Sequence, residues 1–344
     1  MTTKTKRTFM LLLLGTLAST SQSLFAQNNL TSPRPIMTSQ PAELMNAAGA
    51  DVEGWVTVRY SVLANGTPTD VRAIDVMPPT ADPLPALAAV RQWKFSPGMR
   101  NGQAIDWHNN ESILVFGSPA DLSVPSPDFQ DRYFAIGAMI DAEDYDNALA
   151  ANRSLLNDHA TRLSEIGLAL AQNAIIQLGR LDFHSALVSA RKSTDPRITV
   201  LGGADLFVAL QLRFRVEAQL GRTRDALGSY ARIAQGLGPN DIDIFADVGT
   251  QLKAALAETE FLEVAGRIDR EKWRLDASRR YFYIDNIQGE IESIDAECDT
   301  RKISLDFQPE ADYQLPDSFG NCTLFIEGKP DTAFSFIEVL LQED

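Results

Sequence analysis

Positive charge is scarce in this sequence. Its 344 residues contain 31 Lys and Arg against 46 Asp and Glu, so the formal net charge is −15 at pH 7. Because phosphate contacts need clustered Lys and Arg, the composition argues against nucleic acid as a partner. An anionic membrane surface is disfavoured for the same reason. Hydrophobic residues make up 44% of the chain and charged residues 22%, which is typical of a folded protein with two or three domains at this length.

Long apolar runs are also missing. The N-terminal run, Phe9 to Ala18, has about ten residues, whereas a membrane-spanning helix needs about 20. Basic residues precede this run, and Leu24-Phe25-Ala26 follows it and ends on a small residue. We therefore predict that residues 1–26 are a signal peptide cleaved after Ala26, and that the mature protein is periplasmic without stable membrane insertion. The alternative is a retained N-terminal anchor in the inner membrane, with the protein facing the periplasm.

Cysteine is nearly absent. Cys298 and Cys322 are the two cysteines of the chain, and in an oxidising compartment two cysteines of one small domain are expected to form a disulfide. Closing a loop of about 25 residues would stabilise the fold by roughly 3–4 kcal/mol. A buried pair of free thiols is the alternative. A thiol-redox activity is not indicated, because the chain has no C-x-x-C motif.

Catalytic and metal-binding motifs are lacking as well. The three histidines, His108, His159 and His184, fall in three different predicted elements, and no H-E-x-x-H motif occurs. A metal site needs three or four convergent ligands, so these residues do not indicate one. The sequence also has no G-x-S-x-G nucleophile elbow and no G-x-x-x-x-G-K phosphate-binding loop. We predict a non-enzymatic protein without a cofactor or a bound metal.

A mixed segment of strands and a helix lies between residues 42 and 118. It follows an extended lead-in, residues 27–41, that is rich in Pro, Ser, Thr and Asn. Trp55 to Val62 alternates apolar and polar residues, which is typical of a half-buried strand, and Asn65-Gly66 predicts a hairpin turn. A second strand, a helix and a third strand are predicted in turn at residues 71–76, 84–91 and 105–116. The order β-β-α-β predicts an α+β sheet with a helix on one face.

The same segment carries a series of short motifs in a characteristic order. They are Gly54-Trp55-Val56-Thr57-Val58, Asn65-Gly66, Ala86 to Val90, and Trp93-Lys94-Phe95-Ser96-Pro97. This segment, about residues 41–116, resembles the C-terminal domain of the TonB energy-transducer family, in which a G-x-V-x-V strand, a turn, an A-L-x-A-V helix and a W-x-F-x-P exit recur. We expect Trp93 and Phe95 to fill the gap between helix and sheet, and Gly54 to allow a close backbone approach.

The resemblance implies a mode of binding. In this family an extended peptide from an outer-membrane receptor adds a strand to a sheet edge. We therefore expect a peptide to bind along edge strands centred on residues 55–62 and 105–115, with the candidate residues Trp55, Thr57, Arg59, Ser61, Asp106 and His108. The expected partners are envelope or outer-membrane proteins. The alternative function is a TonB-type energy transducer for outer-membrane receptor transport, with the N-terminal anchor retained.

The middle of the chain, residues 126–270, is predicted to be helical and repetitive. An Ala-Leu step recurs at residues 148–149, 186–187 and 226–227, and Leu-Gly-Arg precedes the last two. A Gly at that place ends a helix and lets the chain turn back, so each unit is a helical hairpin. The pattern resembles tetratricopeptide repeats, with a spacing longer than the usual length of about 34 residues. Such repeats would bind a second partner in their concave groove.

The last segment, residues 273–344, is predicted to be a small antiparallel β domain crosslinked by the disulfide. The predicted fold is therefore multidomain. Turn residues separate five short strand-like runs, at Tyr281–Ile284, Ile291–Ala296, Ile303–Phe307, Cys322–Ile326 and Phe334–Leu340. Residues 272–344 contain 16 acidic and 7 basic side chains, against 8 and 6 in residues 27–118. Most of the acidity lies outside the TonB-like segment, which favours a basic partner for the two appended segments.

Overall fold

The structure is a computed structural model that describes residues 30–39, 43–45, 51–117, 124–198, 201–236, 243–268 and 272–340. The predicted signal peptide, residues 1–26, lies outside these residues. Over the described ranges, no helix is both long enough and apolar enough to cross a membrane. The main parts of the fold are a three-stranded sheet with one helix, a row of paired helices, and two four-stranded sheets. The chain therefore has a mixed α+β, multidomain fold.

The first part of the fold is a three-stranded antiparallel sheet with a helix. Its elements are β1 (Leu30–Thr31), β2 (Arg34–Met37), β3 (Gly54–Val62), β4 (Pro68–Met77), α1 (Leu84–Gln92), β5 (Lys94–Ser96), β6 (Gly98–Arg100), β7 (Gln103–Ile105) and β8 (Trp107–Phe116). The strand order is β4-β3-β8. α1 packs on one face of this sheet, where Ala86 and Val90 join a core with Val56 and Val58. The predicted β-β-α-β order is found.

The lead-in contains two short strands that pair with strands following α1. β1 pairs with β6 and β2 pairs with β5, both in antiparallel orientation. Ser39 connects the lead-in to the helix, because its carbonyl accepts the Trp93 Nε1–H at 3.0 Å and its hydroxyl donates to the Ala89 carbonyl at 3.0 Å. We call residues 30–39 the N-terminal strap.

The second face of the sheet packs against the helical part. Trp55, Met77 and Val115 belong to one hydrophobic core together with residues of the helices. An ion pair joins the same surfaces, with Lys192 Nζ 2.7 Å from Asp75 Oδ1. Every residue of β3 except Thr57 is buried, so this strand is covered on both faces, whereas its alternating sequence predicted a half-buried strand.

The middle of the chain consists of paired helices. They are α2 (Pro127–Asp141), α3 (Tyr145–Ser154, continued by a π-helical turn at Leu155–His159), α4 (Leu163–Gly179), α5 (Phe183–Ser193), α6 (Gly203–Gln219), α7 (Thr223–Gly236) and α8 (Asp243–Glu258). The Ala of each recurring Ala-Leu step is fully buried. Small residues are needed where helices meet, since a Cβ on Gly179 would lie 2.3 Å from the Tyr145 ring. The resemblance to tetratricopeptide repeats stays a prediction.

Two four-stranded antiparallel sheets form the last part. Their strands are β9 (Phe261–Arg267), β10 (Lys272–Asp276), β11 (Tyr281–Gln288), β12 (Ile291–Cys298), β13 (Lys302–Leu305), β14 (Asp312–Gln314), β15 (Cys322–Gly328) and β16 (Ala333–Val339). The order is β10-β15-β12-β13 in the sheet that we call the first C-terminal sheet, and β14-β11-β16-β9 in the second. Their facing sides share one core that includes Trp273, Phe282 and Phe336.

The boundary between the helices and these sheets differs from the prediction. The sequence placed residues 261–267 in the helical segment, but the helices end at Glu258 and β9 completes the second sheet beside β16. β10 and β14 were missed as well. The prediction of a disulfide is confirmed: Cys298 and Cys322 are bonded. They oppose each other on the neighbouring strands β12 and β15, so the bond joins two strands of one sheet.

Candidate binding groove along an edge strand

β8 is an edge strand and β3 is not. β8 pairs with β3 on one side, and no second partner strand is found for it in the described part of the chain. β3 pairs with β4 on its other side. The prediction that residues 55–62 form an edge strand is therefore wrong, because the backbone of β3 is hydrogen-bonded on both sides. The edge predicted at residues 105–115 agrees with the position of β8.

The four candidate residues on β3 are Trp55, Thr57, Arg59 and Ser61, and they lie on a central strand. Trp55 is 2% exposed and its Nε1 donates to Asp75 Oδ2 at 3.0 Å. Arg59 is 6% exposed and donates to Glu111 Oε1 on β8 at 2.8 Å from Nη2. Asp75 and Glu111 belong to β4 and β8, so both hydrogen bonds stay within the sheet, and none of the four residues lies on an edge with which a peptide could pair.

A groove runs along the unpaired edge of β8. Its volume is about 900 Å³, and residues 105–113 line it without interruption. Within β8, Ser112 opposes Val58, whose side chain packs under α1. Glu111 opposes Arg59, which points to the other face of the sheet. Since successive side chains of a strand alternate between the two faces, a groove lined by both sets wraps around the edge of the strand.

Asp106 and His108, the two remaining candidate residues, both line this groove. Asp106 Oδ1 accepts the backbone N–H of Ala64 at 2.8 Å. His108 Nδ1 lies 3.2 Å from Ser61 Oγ, at hydrogen-bonding distance. The β3–β8 register shifts just after His108, where Asn109 has a φ of 57°. Such a bulge bends an edge strand and changes where its side chains point.

One wall of the groove is aromatic, and we call Tyr60, Trp93 and Phe95 the aromatic wall. The ring centroid of Tyr60 lies 5.4 Å from that of Phe95 and 6.2 Å from that of Trp93. Tyr60 Oη is 3.0 Å from Ser112 Oγ on β8. Burial raises the pKa of Tyr60, although this hydrogen bond acts in the opposite direction, so the phenol is neutral at physiological pH. The N-terminal strap forms the rim beside this wall.

The opposite wall is the outward face of the first C-terminal sheet, which we call the C-terminal wall. Lys272, Asp295, Lys302 and Phe325 line the groove from it. Contacts with β8 hold the wall in place: Asn109 Nδ2 donates to Glu327 Oε2 at 3.1 Å, Lys272 Nζ lies 3.6 Å from Glu111 Oε1, and Lys302 Nζ lies 6.0 Å from the Trp107 ring centroid.

Sequence reasoning missed the C-terminal wall completely. Trp107 and Glu111 fell inside the predicted edge strand but were not singled out as candidates. The ion pair between Glu111 and Arg59 could have been predicted only if the register between β3 and β8 were known. The sequence does not supply that register. The residues of the wall follow β8 by more than 150 positions in the sequence, and no local pattern marks them.

The motif residues of the TonB-like segment build the sheet around the groove. A Cβ on Gly54 would lie 1.9 Å from the carbonyl oxygen of Met77, so the two strands approach closely there. In the Asn65-Gly66 turn, Gly66 has a φ of 81° and its carbonyl accepts the Phe95 N–H at 3.0 Å. The turn therefore positions β5 and, with it, the aromatic wall. Pro97 separates β5 from β6.

The other titratable groups that the sequence singled out do not form a second centre. His159 Nδ1 lies 2.9 Å from Asp128 Oδ2, which is an ordinary local pair. Across the residues that the structure describes, no group of three or more His, Cys, Asp and Glu could hold a metal ion. The groove offers an unpaired strand edge, aromatic surface and charged groups, which together suit recognition of a peptide.

No curated protein sequence matches the chain. A family model does match part of it, and the matched part contains β3, β4, α1 and the start of β8, so it includes the half of β8 that lines the groove. The resemblance of this segment to the TonB family is thereby confirmed, over about a fifth of the chain. Residues 45–111 match the family of the Gram-negative bacterial TonB protein C-terminal.

Proposed function

We propose that this chain is a non-enzymatic, periplasmic protein-interaction module, and that β8 binds an extended peptide by strand addition. The observation that carries the proposal is the groove that wraps around the unpaired edge of β8. An edge strand presents a row of backbone N–H and C=O groups with which another chain can pair. In this binding mode the main chain supplies affinity and the side-chain surroundings supply specificity. The family match to an interaction domain supports it.

The dimensions of the groove suit a short peptide. Residues 105–113 correspond to roughly 30 Å of extended chain at about 3.3 Å per residue. A peptide of about eight residues would cover this length as one added strand. Its side chains would alternate between the aromatic wall and the C-terminal wall. We propose an envelope or outer-membrane protein as the source of the peptide.

The helical part would bind a second envelope protein. Stacked helical hairpins commonly present a concave surface to a partner. Phe134 on α2 and Val208 on α6 are 67% and 51% exposed, and they supply apolar surface for such a contact. A photo-crosslinking residue at position 134 should capture a partner even when the β8 groove is blocked. Loss of that crosslink on blocking the groove would argue against two separate sites.

The family match also favours a second candidate function, energy transduction for outer-membrane transport. That function requires a retained N-terminal anchor. The mass of the chain isolated from its own cells distinguishes the two: a mature chain that begins at Gln27 excludes the anchor, and an uncleaved N-terminus supports the transducer.

Site-specific photo-crosslinking tests the proposed strand addition. A photoreactive amino acid replaces His108, which lines the groove, or Asp70, which is exposed on β4 at the opposite edge of the same sheet. We expect the residue at position 108 to crosslink to one defined extended segment of an envelope protein, and the residue at position 70 not to do so. Equal capture at both positions, or crosslinks scattered over the partner, would contradict strand addition.

A further inference from the structure

The two walls of the β8 groove differ in chemistry. The aromatic wall is a contiguous ring cluster, in which Tyr60 and Phe95 are 5% and 6% exposed and Trp93 is the most exposed of the three rings. The C-terminal wall is polar and charged, with Phe325 as its aromatic member. A peptide added to β8 would place alternate side chains against these two walls, because the side chains of a strand point to opposite faces in turn.

Four carboxylates line the groove against three Lys and Arg side chains, and the two lysines of the C-terminal wall already have anionic partners. Glu111 is paired with both Arg59 and Lys272, at 2.8 and 3.6 Å. Lys302 is paired with Glu297 at 2.5 Å. Asp295 accepts a hydrogen bond from the Ser304 hydroxyl at 2.6 Å, and no Lys or Arg among the described residues lies within ion-pair distance of it. Lys272 and Lys302, the cations of this wall, are therefore already paired with carboxylates.

Glu327 contacts β8 beside this wall without lining the groove, and its carboxylate lacks a full set of partners. Its Oε2 accepts from Asn109, whereas its Oε1 is buried and has no hydrogen-bond partner. Burial raises the pKa of Glu327, and the nearby charges of Asp295 and Glu111 raise it further, against the opposing effect of Lys272 and Arg59. A cation bound in the groove beside Asp295 would offset the repulsion between Asp295 and Glu327.

The remaining charges of the groove lie away from this wall. Asp106 faces the groove and accepts a backbone N–H without a cation beside it. Arg100 on β6 lines the groove from the part of the fold that pairs with the N-terminal strap. Asp106 and Asp295 are thus the groove-lining carboxylates for which the described residues show a hydrogen bond but no cationic partner.

We propose that the segment bound along β8 alternates basic and apolar residues, with Lys or Arg side chains beside Asp295 and apolar side chains against Trp93 and the exposed edges of Tyr60 and Phe95. This inference rests on the proposed strand addition and specifies its partner. The occupant is a separate extended peptide, since charge complementarity calls for cations that the C-terminal wall does not itself provide. The acidity of residues 272–344 noted in the sequence agrees with it.

Synthetic peptides and the full-length mature chain test this inference. Three labelled ten-residue peptides are compared by fluorescence anisotropy: one alternates Lys and Val, one has the same composition with all Lys residues grouped at one end, and one alternates Thr and Val. We expect the alternating Lys-Val peptide to bind at least about tenfold more tightly than the grouped one. Its affinity should also exceed that of the Thr-Val peptide and fall as salt is raised.

A charge-neutralising variant and a matched control locate the effect. D295N removes the unpaired carboxylate, and E292Q removes the same charge from an exposed position of the same strand outside the groove. We expect D295N to weaken binding of the Lys-Val peptide about fivefold, with Thr-Val binding unchanged and E292Q without effect.

The outcomes separate this inference from the proposed function. If both alternating peptides bind equally well and D295N changes neither, strand addition stands and the preference for basic residues is overturned. If D295N and E292Q weaken binding by the same factor, the attraction comes from net charge and the inference is likewise overturned. If neither alternating peptide binds, strand addition at β8 fails and the inference fails with it.

Discussion

Arg222 lies over the indole ring of Trp273, with its Cζ 5.2 Å from the ring centroid. The side chain is buried and donates from Nε to Asp225 Oδ2 at 2.8 Å. It also donates to the carbonyl of Arg274 on β10. Because Arg222 immediately precedes α7, this one side chain connects the helical part to the first C-terminal sheet.

Replacing Arg222 should therefore destabilise the whole chain. Arg222→Ala leaves the buried Asp225 carboxylate without one of its cations, and removing one partner of a buried ion pair costs roughly 3–5 kcal/mol. Urea denaturation of the variant measures this loss in the free energy of unfolding. Arg215→Ala, at an exposed position of α6, serves as the control and should change that free energy by less than about 0.5 kcal/mol. Equal effects of the two substitutions would contradict the role of Arg222.

Trp55 should be as important for stability as a core residue of the helices. It is 2% exposed and packs in the core that the sheet shares with the helical part. Trp55→Ala should lower the free energy of unfolding by about 3–5 kcal/mol. Phe134→Ala removes an aromatic ring that is 67% exposed and should have a small effect. A Trp55→Ala variant as stable as Phe134→Ala would show that the sheet and the helices do not share a core.

The disulfide should stabilise the C-terminal sheets. Cys298 and Cys322 are 24 positions apart, and a loop of that size corresponds to roughly 3–4 kcal/mol in the chain-entropy model. Thermal unfolding of the oxidised chain, the chain treated with a reductant, and the Cys298→Ala/Cys322→Ala double variant measures this. Reductant should lower the midpoint of the native chain to that of the double variant and leave the variant unchanged. A native chain that is insensitive to reductant while fully reduced would contradict the prediction.

The contribution of Asp225 to stability should depend on pH. Burial alone would raise its pKa, but three guanidinium groups outweigh that effect and lower the pKa, those of Arg222, Arg191 and Arg274. Because the folded-state pKa is below the unfolded value of about 3.9, the stabilisation is present above that value and is lost as pH falls through the folded pKa. Asp225→Asn should therefore be less stable than the native chain at pH 7, and the gap should narrow towards pH 3.

A surface carboxylate provides the control for this pH dependence. The Asp317 side chain is 99% exposed, so Asp317→Asn should leave the free energy of unfolding nearly unchanged at both pH values. The free energies come from urea denaturation at each pH. A gap between Asp225→Asn and the native chain that stays constant from pH 7 to pH 3 would contradict the lowered pKa.

The sequence predicts those features whose determinants are local. The Asn65-Gly66 turn and the motif at Trp93 indicate the β-β-α-β order because each signal lies within a few residues of the element it defines. The disulfide follows from there being two cysteines. β9 was not predicted, although Leu262 and Val264 alternate with exposed residues. A short strand directly after a long helical pattern cannot be distinguished from the end of the helix by its periodicity.

The walls of the binding groove could not be predicted, because they come from residues that are far apart in the sequence. The assignment of β3 as an edge failed for the same reason: its neighbours are fixed by the register with both β4 and β8. The burial of Trp55 on the second face of the sheet depends on helices that begin more than 70 residues later. Pairing order and the contacts between separate parts of a fold are not encoded in a local sequence pattern.

Hydrogen exchange of the β8 amides tests the central claim most directly. The chain as isolated from its own cells is compared with and without the partner segment identified by crosslinking, and exchange is followed at residues 107–113 and on the opposite edge strand β4. Strand addition predicts that the amides of β8 that face away from β3 exchange at least about tenfold more slowly in the complex, while β4 is unchanged. Binding that leaves the β8 amides unprotected, or that protects β4 instead, would contradict the account.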